Sequence, residues 1–124
     1  MSPNPEQPRV LDLEEVRLSD VEQVGGKNAS LGELIGCLSQ AGVEVPGGFA
    51  TTADAFREFL EQDALGDRIS GELAALEADD VQALARCGRR IRQWILETPF
   101  PEALSSAVAD AYRRHAARYG EGVT

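Results

Sequence analysis

Residues 24–34, VGGKNASLGEL, contain the only lysine of the chain. Lysine and arginine together number 12, so the remaining 11 are all arginines. Gly25 and Gly26 directly precede Lys27, and a helix-like pattern follows. Glycines let a backbone approach an anion, a helix N-terminus attracts negative charge through its N–H groups and dipole, and an ammonium adds a mobile point charge. These three residues therefore predict a site for phosphate groups.

The motif alone leaves a second interpretation open, a tight turn with a solvated lysine. It is not the phosphate-binding loop of P-loop proteins, because the earlier glycine and the following serine or threonine are missing, and Asn28 follows Lys27. The absence of any other lysine favours a specific role, since an ammonium is compact and flexible whereas a guanidinium is a planar fork.

The helix that would position Lys27 is predicted to begin within a few residues of it and to end near Gly42. Ser30 and Glu33 have the spacing of a capping box, and Asn28 is an equally good cap one turn earlier. Apolar residues recurring at i, i+3, i+4 and i+7 predict the buried face of this helix: Leu31, Leu34, Ile35 and Leu38.

The remaining pattern predicts a mixed α/β, helix-rich fold. Short strands are expected within residues 10–18 and 45–52, covered by the helix after Lys27 and followed by four more helices. Thr51 or Thr52 is placed to cap the first of these four, and TPFP at residues 98–101 separates the last two. Residues 1–8, with three prolines, are expected to form a flexible tail.

Composition limits the function classes. A net charge of −9 argues against nucleic acid or an anionic membrane surface as the main partner. The sequence has neither the apolar run of a membrane helix nor the pattern of a signal peptide, so a cytoplasmic location is expected. Cys37 and Cys87 are predicted to be buried free thiols, His115 to be a surface residue, and no residue is predicted to bind metal or to act as a catalyst.

Two linked motifs, VGGKNASLGE at residues 24–33 and AGVEVPGGFATT at residues 41–52, closely resemble the opening of the phosphoenolpyruvate synthase family. Pyruvate phosphate dikinases and rifampicin phosphotransferases share the plan but look more like GGKGANL and VPPGF here. The residues that favour the synthase family are Asn28, Ala29, Ser30, Gly47 and Gly48.

The resemblance implies an ATP-grasp nucleotide-binding domain, of which residues 9–124 would be an N-terminal portion truncated at its C-terminus. It implies that ATP and Mg²⁺ are used, and that a phosphoryl group passes to a histidine on another domain and then to pyruvate. Lys27, with Gly25 and Gly26, would contact the ATP phosphates, and Thr51 and Thr52 could lie near the nucleotide. The remaining domains of such an enzyme would be partners of this segment.

The resemblance also has gaps. The VRSSA-like strand, whose arginine holds phosphates in the family, would follow residue 124, and the metal-binding acids and phosphohistidine domain are absent from this sequence. The chain alone is therefore not expected to catalyse the reaction. Two alternatives stay open: a stand-alone interaction module without catalysis, and a fragment of a related dikinase or rifampicin phosphotransferase.

Overall fold

The computed structural model describes residues 8–77 and 79–120. These form two compact units, the first made of residues 8–57 with 102–120 and the second of residues 58–101 without residue 78. The first unit carries the glycine-lysine motif. The expected tail lies outside the described residues apart from Pro8.

A two-stranded antiparallel sheet opens the first unit. Strand β1 (Val10–Asp12) pairs with β2 (Phe49–Thr51), and Leu11 lies opposite Ala50. The predicted strands are correctly placed but shorter than expected. After β1 the chain curls into two 3₁₀ helices, Leu13–Glu15 and Leu18–Asp20, because the Val16 N–H bonds back to the Leu13 carbonyl at 3.2 Å instead of extending the sheet.

The described residues contain five α-helices, and the prediction of four helices after the first is confirmed. Asp80 caps the fourth, since its carboxylate accepts a hydrogen bond from the Ala83 N–H at 3.0 Å. The segment 98–101 separates the fourth from the fifth, as predicted. The helices are α1 (Val21–Gln40), α2 (Ala53–Glu61), α3 (Leu65–Ala74), α4 (Val81–Glu97) and α5 (Glu102–Tyr119).

Helix α1 packs on the segment that carries the 3₁₀ helices, and a glycine makes this approach possible. A methyl group on Gly32 would lie 2.5 Å from the Val16 carbonyl oxygen and 2.9 Å from that of Leu13. A side chain there is excluded unless the backbone shifts. The core of this unit is formed by Leu13, Val16, Val24, Ala29, Ile35 and Ala50.

The prediction for the buried face of α1 was partly wrong. Ile35 is buried, but Leu34 is 52% exposed and Leu31 is 36% exposed. Because α1 approaches Val16 closely at Gly32, the side of the helix that carries small residues faces the core, and Leu31 and Leu34 face outward. Leu38 is half-buried at the edge of the contact.

The second unit is built around α3 and α4. Phe59 and Phe100 meet edge to face with ring centroids 5.6 Å apart, and the Arg68 guanidinium lies 4.4 Å from the centroid of the Trp94 ring. Cys87 is buried in this unit, as predicted. Cys37, on α1 in the first unit, is exposed, which corrects the prediction that both thiols are buried, and both are free.

Candidate phosphate-binding site

The glycine-lysine motif lies inside α1, at a break in the helix. Gly25 has φ 81° and ψ 165°, a conformation that glycine adopts readily and other residues rarely do. The expectation that a helix begins near Lys27 therefore needs correction. Helical structure begins at Val21, and Gly25 interrupts it so that a second helical segment restarts directly before Lys27.

The restart gives the motif the character of a helix N-terminus. A helical segment that restarts after a break presents the N–H groups of its first residues at that end, here beginning with Gly26 and Lys27. The dipole of the following segment adds roughly half a positive charge at the same end. A methyl group built on either Gly25 or Gly26 would have no neighbour within 4 Å. The backbone of this turn is thus open to a ligand.

Lys27 is available to such a ligand. Its side chain is exposed, and it forms no ion pair with any of the residues that the structure describes. Several arginines, by contrast, are paired with carboxylates, for example Arg118 with Glu14 and Arg90 with Glu72.

Buried residues fix the two sides of the break. Val24 is 8% exposed and Ala29 is fully buried, and both belong to the core that also contains Ala50 of β2. Between them, the side-chain amide of Asn28 donates a hydrogen bond to the Val24 carbonyl at 2.9 Å. The turn that carries Lys27 is therefore anchored to the core on both sides of the break, while the Lys27 side chain is exposed to solvent.

Neither predicted cap of this helix is formed. Asn28 donates to a carbonyl instead of accepting from a later N–H, because the restart places it within the first helical turn. Glu33 accepts from the Leu18 N–H at 3.1 Å, which ties α1 to the preceding 3₁₀ helix, so it does not serve Ser30.

The two threonines of the second motif differ in their surroundings. Thr51 ends β2 with an exposed side chain. Thr52 is only 3% exposed, and its hydroxyl accepts from the Ala55 N–H at 3.2 Å and donates to the Pro8 carbonyl at 2.8 Å. Thr52 is thus the cap of α2, which was the predicted role of one of the two. Ala50, next to Thr51, packs in the same core as Val24.

Contacts distant in sequence hold the glycine loop of the second motif, and no sequence signal indicated them. The Gly47 N–H donates to the Tyr119 hydroxyl at 2.8 Å, across 72 positions. Arg118 pairs with Glu14, and Arg114 lies 3.5 Å from the Asp12 carboxylate. His115, predicted at the surface, is half-buried against Tyr119, with ring centroids 4.8 Å apart.

The described part of the chain shows neither a metal-binding cluster nor a membrane-spanning helix. It contains no cluster of three or more His, Cys, Asp or Glu side chains able to hold a metal ion. None of its helices combines the length and the hydropathy needed to cross a bilayer. The glycine-lysine turn offers one ammonium and backbone N–H groups, which attract anions electrostatically.

The chain is similar in sequence to one family of proteins. The sequence pattern of the family described as pyruvate phosphate dikinase, AMP/ATP-binding domain, matches residues 21–124. The chain is 55% identical over 111 residues to phosphoenolpyruvate synthase of Neisseria meningitidis, covering 90% of this chain and 14% of that protein. It is 57% identical over 103 residues to the Pseudomonas aeruginosa synthase, covering 83% and 13%, and 52% identical over 112 residues to the Escherichia coli synthase, covering 90% and 14%. The chain thus spans about one seventh of the length of these relatives.

Proposed function

This chain belongs to the pyruvate phosphate dikinase AMP/ATP-binding domain family, and we propose that its glycine-lysine turn binds the phosphates of ATP. Membership of a family described as AMP/ATP-binding supports nucleotide binding by this segment. The observation that carries the finer proposal is the break at Gly25, which restarts the helix directly before the only lysine of the chain.

Lys27 supplies the charge in this proposal. An ammonium on a flexible stem can follow the phosphate oxygens as charge redistributes among them during transfer, and it stabilises that charge where water is excluded. Because the chain is acidic overall, with a net charge of −9, the site must supply the attraction locally.

Gly25 and Gly26 supply close approach. A Cβ built on either glycine would have no neighbour within 4 Å, so phosphate oxygens can reach the N–H groups of the turn. We place Thr51 near the nucleotide because its side chain is exposed at the end of β2, the strand that shares its core with α1. Thr52 we place behind it, where its buried hydroxyl supports the start of α2.

For the protein that contains this segment we propose the activity named in its relatives, phosphoenolpyruvate synthesis. Pyruvate, ATP and water would give phosphoenolpyruvate, AMP and phosphate, through a phosphohistidine carried elsewhere, in the cytoplasm and as a step of gluconeogenesis. Residues 9–124 would then be the N-terminal portion of an ATP-grasp domain. Mg²⁺ would arrive with ATP. Among the described residues, no group of three or more His, Cys, Asp or Glu side chains is placed to hold a metal ion.

A chimaera tests this proposal without requiring the isolated segment to bind ATP. The 112 matching residues of the E. coli synthase are replaced by those of this chain, which are 52% identical. Formation of phosphoenolpyruvate from pyruvate and ATP is then measured. We expect an active chimaera, and we expect Lys27→Ala to lower kcat/KM for ATP about 10- to 100-fold, the value of one charged hydrogen bond.

Two further variants sharpen the test. Lys27→Arg keeps the charge but changes its shape, so we expect an intermediate loss. Ser39→Ala, exposed near the far end of the same helix, should behave as the unsubstituted chimaera. An inactive chimaera would overturn the proposed activity, and full activity of Lys27→Ala would overturn the phosphate-binding role.

A further inference from the structure

The conformation of the glycine turn requires a restraint, because a glycine break in a helix is flexible. Gly25 has no side chain to limit its dihedral angles, and the turn has open space around both glycines. A site that must present N–H groups and an ammonium in fixed directions gains from preorganisation. A side chain that connects the two sides of the Gly25 break would supply this restraint.

Asn28 spans it. In a continuous helix, the Val24 carbonyl would accept a hydrogen bond from the backbone N–H four residues later. The side-chain amide of Asn28, four residues after Val24, donates to this carbonyl at 2.9 Å. The bond joins the last residue before Gly25 to the first helical turn after it, and closes the glycine turn into a ring.

Both ends of this hydrogen bond are anchored. Val24 is 8% exposed and lies in the core, and Ala29, the neighbour of Asn28, is fully buried in the same core. Asn28 itself is half-buried, whereas Lys27 beside it is exposed. Asn28 is therefore more enclosed than Lys27, and its amide is bonded to the Val24 carbonyl while the Lys27 side chain is exposed.

We propose that Asn28 is a positioning residue, whose amide locks the Gly25 turn in the form that binds phosphate. This inference rests on the proposed function of Lys27, since it concerns the same site. An aspartate cannot perform this role because a carboxylate does not donate to a carbonyl, and alanine cannot reach it.

Asn28→Ala is the informative substitution. If Asn28 contributed only to helix formation, Asn28→Ala would not lower the stability of the fold, because alanine is a better helix former than asparagine. If Asn28 positions the turn, we expect Asn28→Ala to raise the Michaelis constant for ATP in the chimaera about three- to tenfold, the value of one neutral hydrogen bond. The Michaelis constant for pyruvate should be unchanged. Ser39→Ala is the matched control at the far end of α1.

A second measurement needs no nucleotide. Nitrogen-15 relaxation of the full chain gives the order parameters of the Gly25 and Gly26 amides, and we expect Asn28→Ala to lower both while Ser39→Ala leaves them unchanged. Unchanged order parameters, or an unchanged Michaelis constant for ATP, would overturn the positioning role. The outcome for Lys27→Ala separates the two proposals: if that variant loses affinity and Asn28→Ala does not, phosphate binding stands and the lock is wrong.

Discussion

The close contact between α1 and the segment after β1 predicts that Gly32→Ala lowers the stability of the fold. The new methyl group would lie 2.5 Å from the Val16 carbonyl oxygen and 2.8 Å from the Val16 Cβ. Ordinary van der Waals contact begins near 3.4 Å, so the nearest contact is too short by about 0.9 Å. Either α1 or the chain at Val16 must move by nearly that distance.

The chain at Val16 resists such a movement because several hydrogen bonds fix it. The Val16 carbonyl accepts from the Arg17 guanidinium at 2.8 Å, and the Val16 N–H donates to Leu13 at 3.2 Å. The Leu13 N–H in turn donates to Gly48 at 2.9 Å. Val16 is also 1% exposed, so any shift opens the core.

The magnitude follows from two opposing effects. Replacing glycine by alanine within a helix favours folding by about 1 kcal/mol. Forcing an extra carbon into a packed core costs about 1–3 kcal/mol, and each weakened hydrogen bond costs up to about 1 kcal/mol more. The expected net loss is about 2 kcal/mol, which lowers the urea midpoint by about 1 M for a domain of this size.

Far-UV circular dichroism during urea titration measures this midpoint, and Gly71→Ala is the matched control. Gly71 lies within α3, and a methyl group there would have no neighbour within 4 Å. The same substitution should therefore raise stability by about 0.5–1 kcal/mol. An equal or higher midpoint for Gly32→Ala would refute the inference that the absent side chain sets the contact.

Two further substitutions, each paired with a control substitution, test contacts that hold the second motif. Thr52→Val removes the hydroxyl that caps α2 and bonds to Pro8, so we expect a loss of about 1–2 kcal/mol by urea titration. Thr51→Val, at an exposed position, should change stability by less than about 0.5 kcal/mol, and an equal effect of the two would contradict the assignment of the cap. Tyr119→Phe removes the acceptor of the Gly47 N–H and should lower the thermal midpoint by an amount equivalent to about 1 kcal/mol, measured by calorimetry. Tyr112→Phe, on the same helix and 46% exposed, should leave it unchanged.

Local signals predicted the elements well. Helical periodicity and the proline-rich break at residues 98–101 located the four later helices, and the turn residues around Gly47 and Gly48 located β2. These signals are local because helix propensity, capping and turn chemistry act over a few residues. The glycine-lysine motif is a local signal as well, and the anion site that it indicates stays a prediction.

What the sequence did not predict depends on contacts between distant segments. Helical periodicity assigned Leu31, Leu34, Ile35 and Leu38 to the buried side of α1. Ile35 is buried as predicted, but Leu31 and Leu34 are exposed, and Ala29 and Gly32 are buried. The choice depends on the shape of the partner surface at Val16, which periodicity does not contain. Likewise, the bond between Gly47 and Tyr119 spans 72 positions and leaves no local pattern.

The packing of α1 also determines where Lys27 points. Residues three and four apart share one side of a helix, so Lys27, Leu31 and Leu34 lie on one side, and all three are exposed. They are exposed because Gly32 turns the opposite side against Val16. A shift of α1 by nearly 1 Å in Gly32→Ala would carry the lysine with it, and misplacement on this scale is costly at a reacting centre. In the chimaera, this variant should therefore raise the Michaelis constant for ATP even below its unfolding transition. If it lowered stability but left that constant unchanged, the packing of the helix and the placement of its lysine would be independent.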